Sequence, residues 1–365
     1  MIPTNVPIPD VHFFGAWVIG VFCSLMSDKP NSDIVRRKAD HIELAFASQS
    51  GAGQLDRRFY YEPMLAAHPG QADLPVPFLG KTLRYPLWVS SMTGGTEAAR
   101  EINRNLARMC AEFGFGMGLG SCRVLFEKPE LLPDFNVREY LGPDLPLMAN
   151  LGLAQIEHLL DSHAVDRIAG LVELLQADGL VVHVNPLQEW LQPGGDIFKY
   201  PPAETIERLL KSVDLPVVVK EVGQGMGPDS LEALFRLPVA AVELAAHGGT
   251  NFSMLELLRD EDAMRQEHLG RIAAVGHSAE EMVGFINTIA ASAGGELQCK
   301  QVIISGGVRD YLDGFYLMKK LTLPSIYGHA SGFLKYARQS YEQLQAFARI
   351  QTAGLRLAQT YLRVR

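Results

Sequence analysis

Beyond residue 85 the chain alternates two kinds of segment so regularly that few architectures remain open to it. Short apolar runs at 86–93, 113–120, 145–151, 179–185, 216–222, 240–246, 301–307 and 325–330 are rich in Val, Ile, Leu, Met or Gly and lack strict polar alternation. That is the pattern of strands covered on both faces. Between them lie stretches with apolar residues at helical spacing. In 97–112, Ala98, Ile102, Leu106 and Met109 follow that spacing, and 203–212, 229–237, 279–292 and 312–321 read the same way. Pro202, Pro228 and Ser278 signpost helix starts, because proline suits the first turn and serine caps it. Eight strand–helix units over about 250 residues predict an α/β fold, a TIM (β/α)8 barrel. A doubly wound sheet is the rival, but no Gly-x-Gly-x-x-Gly fingerprint follows the first run. Gly116, Gly118 and Gly120 in the second run point to close packing or ligand approach there.

Around this barrel, expected over 86–345, the sequence divides into an N-terminal extension (1–30), a lead-in of helix and loops (31–85) and a C-terminal helix (346–365). The lead-in carries an amphipathic stretch at 33–46 and turn residues at 69–77. The apolar stretch from Phe13 to Met26 is too short to span a bilayer comfortably, and no Lys or Arg precedes it. Met26 is itself a plausible start, which makes the first 25 residues an extension that adds nothing to the fold. With 47% hydrophobic and 20% charged residues the composition is that of a soluble protein without a membrane span. The net charge of -8 argues against nucleic acid as a partner. Cys23, Cys110, Cys122 and Cys299 are scattered without metal-ligand spacing, as expected of reduced thiols in a cytoplasmic protein.

Function is legible where the strands should end. In barrels of this kind the reactive groups gather at the C-terminal strand ends. Here those ends bring Ser91 and Thr93, Ser121 and Arg123, Asn150, His183 and Asn185, Lys220 and Glu221, His247 and Thr250, Ser305, and His329. The segment from Gly179 to Asp196 is the densest. His183 and Asn185 are two apart and share a side of an extended chain, Pro186 stops the strand, and Gln188 and Glu189 follow before a Pro-Gly-Gly-Asp loop. Glu189 is the candidate metal ligand. Lys220 ends an apolar strand, and a buried ammonium needs an anionic or electron-rich partner, either Glu221 or a ligand. Ser305-Gly306-Gly307 and Gly328-His329-Ala330 end the last two strands, where this fold commonly binds phosphate through backbone N–H groups.

Taken in order, Met92-Thr93-Gly94-Gly95, Gly120-Ser121-Cys122-Arg123, Ala149-Asn150-Leu151-Gly152, His183-Val-Asn185-Pro-Leu-Gln188-Glu189, Val219-Lys220-Glu221-Val222-Gly223 and Gly248-Gly249-Thr250-Asn251-Phe252 resemble type 2 isopentenyl-diphosphate delta-isomerase. The early Arg36-Arg37-Lys38-Ala-Asp-His41 is similar to that family's N-terminal basic motif, and the resemblance covers about residues 33–340. It implies an FMN-dependent barrel that interconverts isopentenyl and dimethylallyl diphosphate with Mg2+, its flavin kept reduced by NAD(P)H. By the resemblance, Ser91, Met92, Thr93, Ser121, Asn150, Lys220 and Thr250 contact FMN, while Gly306, Gly307 and Ala330 hold its phosphate. Arg37, Lys38, Ser121, Arg123, His183, Asn185 and Gln188 surround the substrate, with Gln188, His183 and Asn185 nearest the chemistry and Glu189 on Mg2+. A homo-oligomer, tetramer or octamer, is also implied. His247, Cys122 and Gly332 depart from the family's usual residues.

Two other readings compete. An FMN-dependent 2-hydroxy-acid oxidase shares the barrel and carries His-Gly-Gly-Arg, but Thr250 stands where its arginine would clamp a carboxylate. A non-catalytic flavin-binding barrel would need none of Gln188, Glu189, Arg37 or Lys38.

Overall fold

The computed structural model describes residues 34–91, 94, 95 and 97–365, so the expectations for the N-terminal extension and for Met92 and Thr93 lie outside the described residues. The chain divides into two units, residues 1–57 and 58–365. In the first, helix Ile34–Leu44 occupies the stretch read as amphipathic, and a single 3-10 turn, Ala52–Gln54, follows it.

The second unit is built on a closed parallel barrel. Its eight strands in chain order are Leu87–Val89, Gly116–Gly118, Leu147–Gly152, Gly179–His183, Val217–Lys220, Ala241–Glu243, Val302–Ile304 and Ser325–His329. The last pairs with the first through Tyr327 and Leu87, which closes the ring and excludes the doubly wound sheet. Every predicted run overlaps one of these strands, and the strands are the shorter; the third alone reaches past its run, to Gly152. The run from Pro86 to Thr93, for example, keeps only Leu87–Val89 in the ladder. The residues left over after a strand turn out of the sheet at its C-terminal rim. The glycines of the second strand permit tight interior packing, since a Cβ at Gly116 would meet the Trp88 ring and one at Gly118 would meet Ser91 Oγ, each at 2.5 Å.

Outside the barrel, three features depart from the sequence reading. Residues 69–77 are not all loop: Val76–Phe78 pairs with Lys81–Leu83 across Leu79 and Gly80, both with positive φ, as a two-residue hairpin turn requires. The C-terminal helix runs from Tyr341 to Tyr361 and stops short of the terminus. Leu362–Val364 then pairs antiparallel with Phe59–Tyr61, tying the two ends of this unit together. Finally, two helices, Phe252–Arg259 and Ala263–Ala273, follow the sixth strand, capped by Asn251 and Asp262 side chains. They bury Leu257 and Ala273 with Leu191 of helix Pro186–Leu191, in a small apolar cluster separate from the main core. That cluster sets the helix after the fourth strand against the first of these two helices.

Candidate active site

Three side chains at the C-terminal rim stand in one row. Backbone register pairs Gly152 with His183, His183 with Lys220, and Lys220 with Glu243 across the third to sixth strands. Neighbours in such a row project to the same side of the sheet. His183 Nδ1 lies 2.7 Å from Asn150 Oδ1, and Asn150 Nδ2 donates to the Leu119 carbonyl at 3.0 Å. Asn150 is thus the acceptor, His183 donates from Nδ1, and its Nε2 is left as an acceptor. Burial, with the nearby Lys220 charge, pushes the His183 pKa down to about 3, so the ring is neutral. Gly152 gives it room: a Cβ there would stand 2.8 Å from Nε2.

Lys220 is buried, and its Nζ donates to the Glu221 carbonyl at 2.7 Å. The Glu221 carboxylate, which sequence offered as a possible partner for it, turns instead to the backbone N–H groups of Gly223, Gln224 and Gly225 at 2.7–2.9 Å. Burial raises the pKa of that carboxyl, against the pull of the three amides.

Lys220 and Glu243 open onto a cavity of about 310 Å3 that also takes in Ser90, Ser91, Thr250, Gly306, Gly307 and Ala330. Two glycine-bearing loops form one side. Gly306 and Gly307 have φ of 85° and 70°, and a Cβ at Gly306 would overlap the backbone of Ala246. Gly248 and Gly249 face them at van der Waals range, so backbone lines this wall. Several buried polar atoms here lack a partner: Ser90 Oγ, Ser91 Oγ, Glu243 Oε2 and His329 Nε2. Burying such groups unpaired is costly. A polar, phosphate-bearing ligand fits this wall of backbone and orphaned groups.

Beside the cavity, a second cluster hangs on helix Pro186–Leu191. Asn185, buried at its N-terminus, donates from Nδ2 to Gln188 Oε1 at 3.1 Å and to Glu189 Oε1 at 3.0 Å. Gln188 Nε2 donates in turn to Glu256 Oε1 at 2.9 Å. The second oxygen of Glu189 accepts the Asp196 backbone N–H at 2.8 Å. Asp196 Oδ2 holds Arg123 Nη1 at 2.9 Å and Gln155 Nε2 at 2.8 Å. No cluster of three or more His, Cys, Asp or Glu that could hold a metal occurs among the described residues. A cation at Glu189 would therefore have to complete its shell with water and ligand oxygens, which is how Mg2+ is usually held.

Of the expected site residues, Ser91, Lys220, Thr250, Gly306, Gly307 and Ala330 line the cavity together. Asn150 and His183 do not line it; they pair with each other on the two strands before that of Lys220. Asn185, Gln188 and Glu189 form the second cluster, Arg123 joins it through Asp196, and Ser121 is exposed on the rim. Arg37 and Lys38 are exposed on helix Ile34–Leu44 of the first unit. Sequence reasoning missed two buried carboxylates. Glu243 is hidden in an apolar run, where only the cost of burying a charge marks it. Glu256 sits on a helix that was not foreseen. Cys122, a departure from the family pattern, is buried, and burial pushes its thiol up to about 12. It is an inert core residue.

No family model matches the chain. Curated relatives do. An isopentenyl-diphosphate delta-isomerase of Nostoc sp. (strain PCC 7120) is 36% identical over 326 residues, 87% of this chain and 89% of that one. Those of Synechococcus sp. and Rickettsia felis are 35% and 33% identical over 89% and 87% of this chain. Among solved structures, a flavocytochrome b2 double mutant with pyruvate bound gives a TM-score of 0.59 at 18% identity, covering 83% of this chain and 72% of that one. A mandelate oxidase mutant with a C4a-OH-FMN adduct gives 0.50 at 12%, over 82% of each chain. At such low identity these two speak for the barrel alone.

Proposed function

The chain belongs to the isopentenyl-diphosphate delta-isomerase family, the type 2 branch that its motifs resemble, and from that premise we propose that it interconverts isopentenyl and dimethylallyl diphosphate using FMN and Mg2+. The observation that carries the reading is the adjacency of two unlike surfaces. One is a glycine-walled cavity with Lys220 and orphaned polar groups, suited to a flavin. The other is the Asn185–Gln188–Glu189 cluster with Arg123, suited to a metal-bound diphosphate.

Moving a double bond requires adding a proton at one carbon and removing one from another, with no net redox change. When bound, reduced FMN supplies the acid–base atom, its N5, and NAD(P)H keeps it reduced. The chain's own residues do the rest. Gly306, Gly307 and Ala330 would receive the cofactor phosphate on backbone N–H groups. Lys220 holds a positive charge at the cavity wall, which favours an electron-rich ring beside it. Gln188 cannot titrate near neutral pH. Gripped by Asn185 and Glu256, its amide is oriented to place the substrate or relay a proton. His183, neutral, offers an acceptor rather than an acid. Arg123 would neutralise the diphosphate, a task the family resemblance also gives to Arg37 and Lys38, and Glu189 would share Mg2+ with its oxygens. Thr250, where an oxidase would present arginine, leaves a 2-hydroxy acid without its clamp. A homo-oligomeric, cytoplasmic enzyme belongs to the same reading, and no described helix is long and apolar enough to cross a membrane.

The test is an anaerobic assay for conversion of isopentenyl diphosphate with FMN, Mg2+ and NADPH, each omitted in turn. Activity that persists after complete removal of the flavin would sink the proposal.

A further inference from the structure

The loop after helix Pro186–Leu191 is built around one contact. Its backbone passes so close to the helix that a Cβ at Gly195 would sit inside the carbonyl oxygen of Glu189. Gly194, with φ of 72°, supplies the turn that brings it there. The result is that Asp196 presents both its halves to functional groups. Its N–H reaches Glu189 Oε2 at 2.8 Å, and its carboxylate takes Arg123 at 2.9 Å while Gln155, on helix Leu153–Asp161, steadies it at 2.8 Å. Glu189 and Arg123 come from different strand ends, and among the described residues no other hydrogen bond between their side chains and a common partner is found.

We propose that Gly195 and Asp196 are positioning residues that preset the two ends of the diphosphate site, the backbone N–H fixing the cation-binding carboxylate and the side chain fixing the anion-binding guanidinium. This rests on the proposed roles of Glu189 and Arg123. Both groups are partly exposed, and an arginine that must be ordered on binding forfeits rotamer entropy. Holding it beforehand removes that cost, as preorganisation does generally. The same holds for a carboxylate that must meet a cation with little freedom in geometry.

Because the two ends use different halves of one residue, they come apart in experiment. Inorganic pyrophosphate is titrated calorimetrically into the flavin-loaded full-length protein, first with EDTA and then with Mg2+. Asp196→Ala removes only the side chain: pyrophosphate affinity without Mg2+ falls about 5-fold, and the further gain from Mg2+ is kept. Asp196→Asn keeps an acceptor for Arg123 and Gln155 and restores most of the loss. Gly195→Ala pushes the N–H off Glu189: affinity without Mg2+ is kept, and the gain from Mg2+ shrinks by a similar factor. Flavin fluorescence quenching, equal in all variants, reports an intact barrel. Tighter pyrophosphate binding by either Asp196 variant would mean that the aspartate competes with the ligand, which overturns the proposal. So would equal losses of both quantities in Asp196→Ala and Gly195→Ala, or no change in any variant. If the wild-type protein binds flavin but no pyrophosphate in either condition, the diphosphate reading itself fails.

Discussion

Glu256 offers the sharpest test of how the site works, because its one evident task is to hold Gln188. It is buried on helix Phe252–Arg259 and accepts Gln188 Nε2 at 2.9 Å, which turns Gln188 Oε1 towards Asn185. Its other partner, Arg259, approaches at 3.2 Å but is two-thirds exposed, so releasing it costs little. Replacing Glu256 with Leu leaves the Gln188 amide without an acceptor on that side. A buried unsatisfied donor costs about 1–3 kcal/mol, and since Gln188 is only half-buried the lower part of that range applies. A penalty of about 1–2 kcal/mol on the productive orientation corresponds to a loss of roughly 5- to 30-fold in kcat. Glu256→Gln retains an acceptor without the charge. Charge-assisted hydrogen bonds are about twice as strong as neutral ones, so that variant should lose only about 2- to 5-fold. The assay is steady-state isomerisation of isopentenyl diphosphate with reduced FMN and Mg2+, with flavin binding as the check on folding. The expected order in kcat is wild type, then Gln, then Leu, with KM little changed because Glu256 reaches the substrate only through Gln188. A Glu256→Leu enzyme that binds flavin and turns over at the wild-type rate would refute the claim that Gln188 is held in place by this carboxylate.

Other perturbations address the cavity and its electrostatics. His183 and His329 are held neutral, with pKa pushed down to about 3 and about 4 by burial. Between those values and the ordinary 6.5 the unfolded chain binds protons that the folded chain does not, so stability rises with pH across that window and is lost as pH falls below about 6.5. His329→Asn should flatten the fall in thermal midpoint over that window, and an unchanged slope would contradict the assignment. Gly306→Ala places a Cβ against the Ala246 backbone at a φ of 85°, so it should lose FMN by tenfold or more, at about 1–3 kcal/mol of local strain. A variant that bound FMN like wild type would exclude this loop from the cofactor site. Lys220→Met removes the one buried ammonium at the cavity wall among the described residues. It should weaken binding of reduced more than of oxidised flavin, seen as a lowered flavin reduction potential, and an unchanged potential would remove Lys220 from the flavin's surroundings.

How much of this was legible in the chain follows from what each feature owes to local pattern. The barrel strands announced themselves because burial on both faces leaves few polar residues to interrupt them, and Leu180, Val181 and Val182 are all inaccessible. Polar residues at the run ends could be read as rim residues for the same reason: a strand that is apolar throughout has nowhere else to put His183 or Lys220. The strand pair Phe59–Tyr61 with Leu362–Val364 could not be read, since three residues carry no periodicity and their pairing depends on the barrel having already brought the ends of the unit together. Glu256 was hidden for a different reason. On its own helix it is one acidic residue among Glu256, Leu257, Leu258 and Arg259, with the look of a solvated face. It becomes a buried partner only because Leu257 packs against Leu191 and seats that helix on the one bearing Gln188. The side chains at the strand ends were written by the barrel's own pattern, whereas the residues that orient them come from loops and inserted helices. It is there that Glu256, Gly195 and Asp196 lie, each acting on the site through another residue.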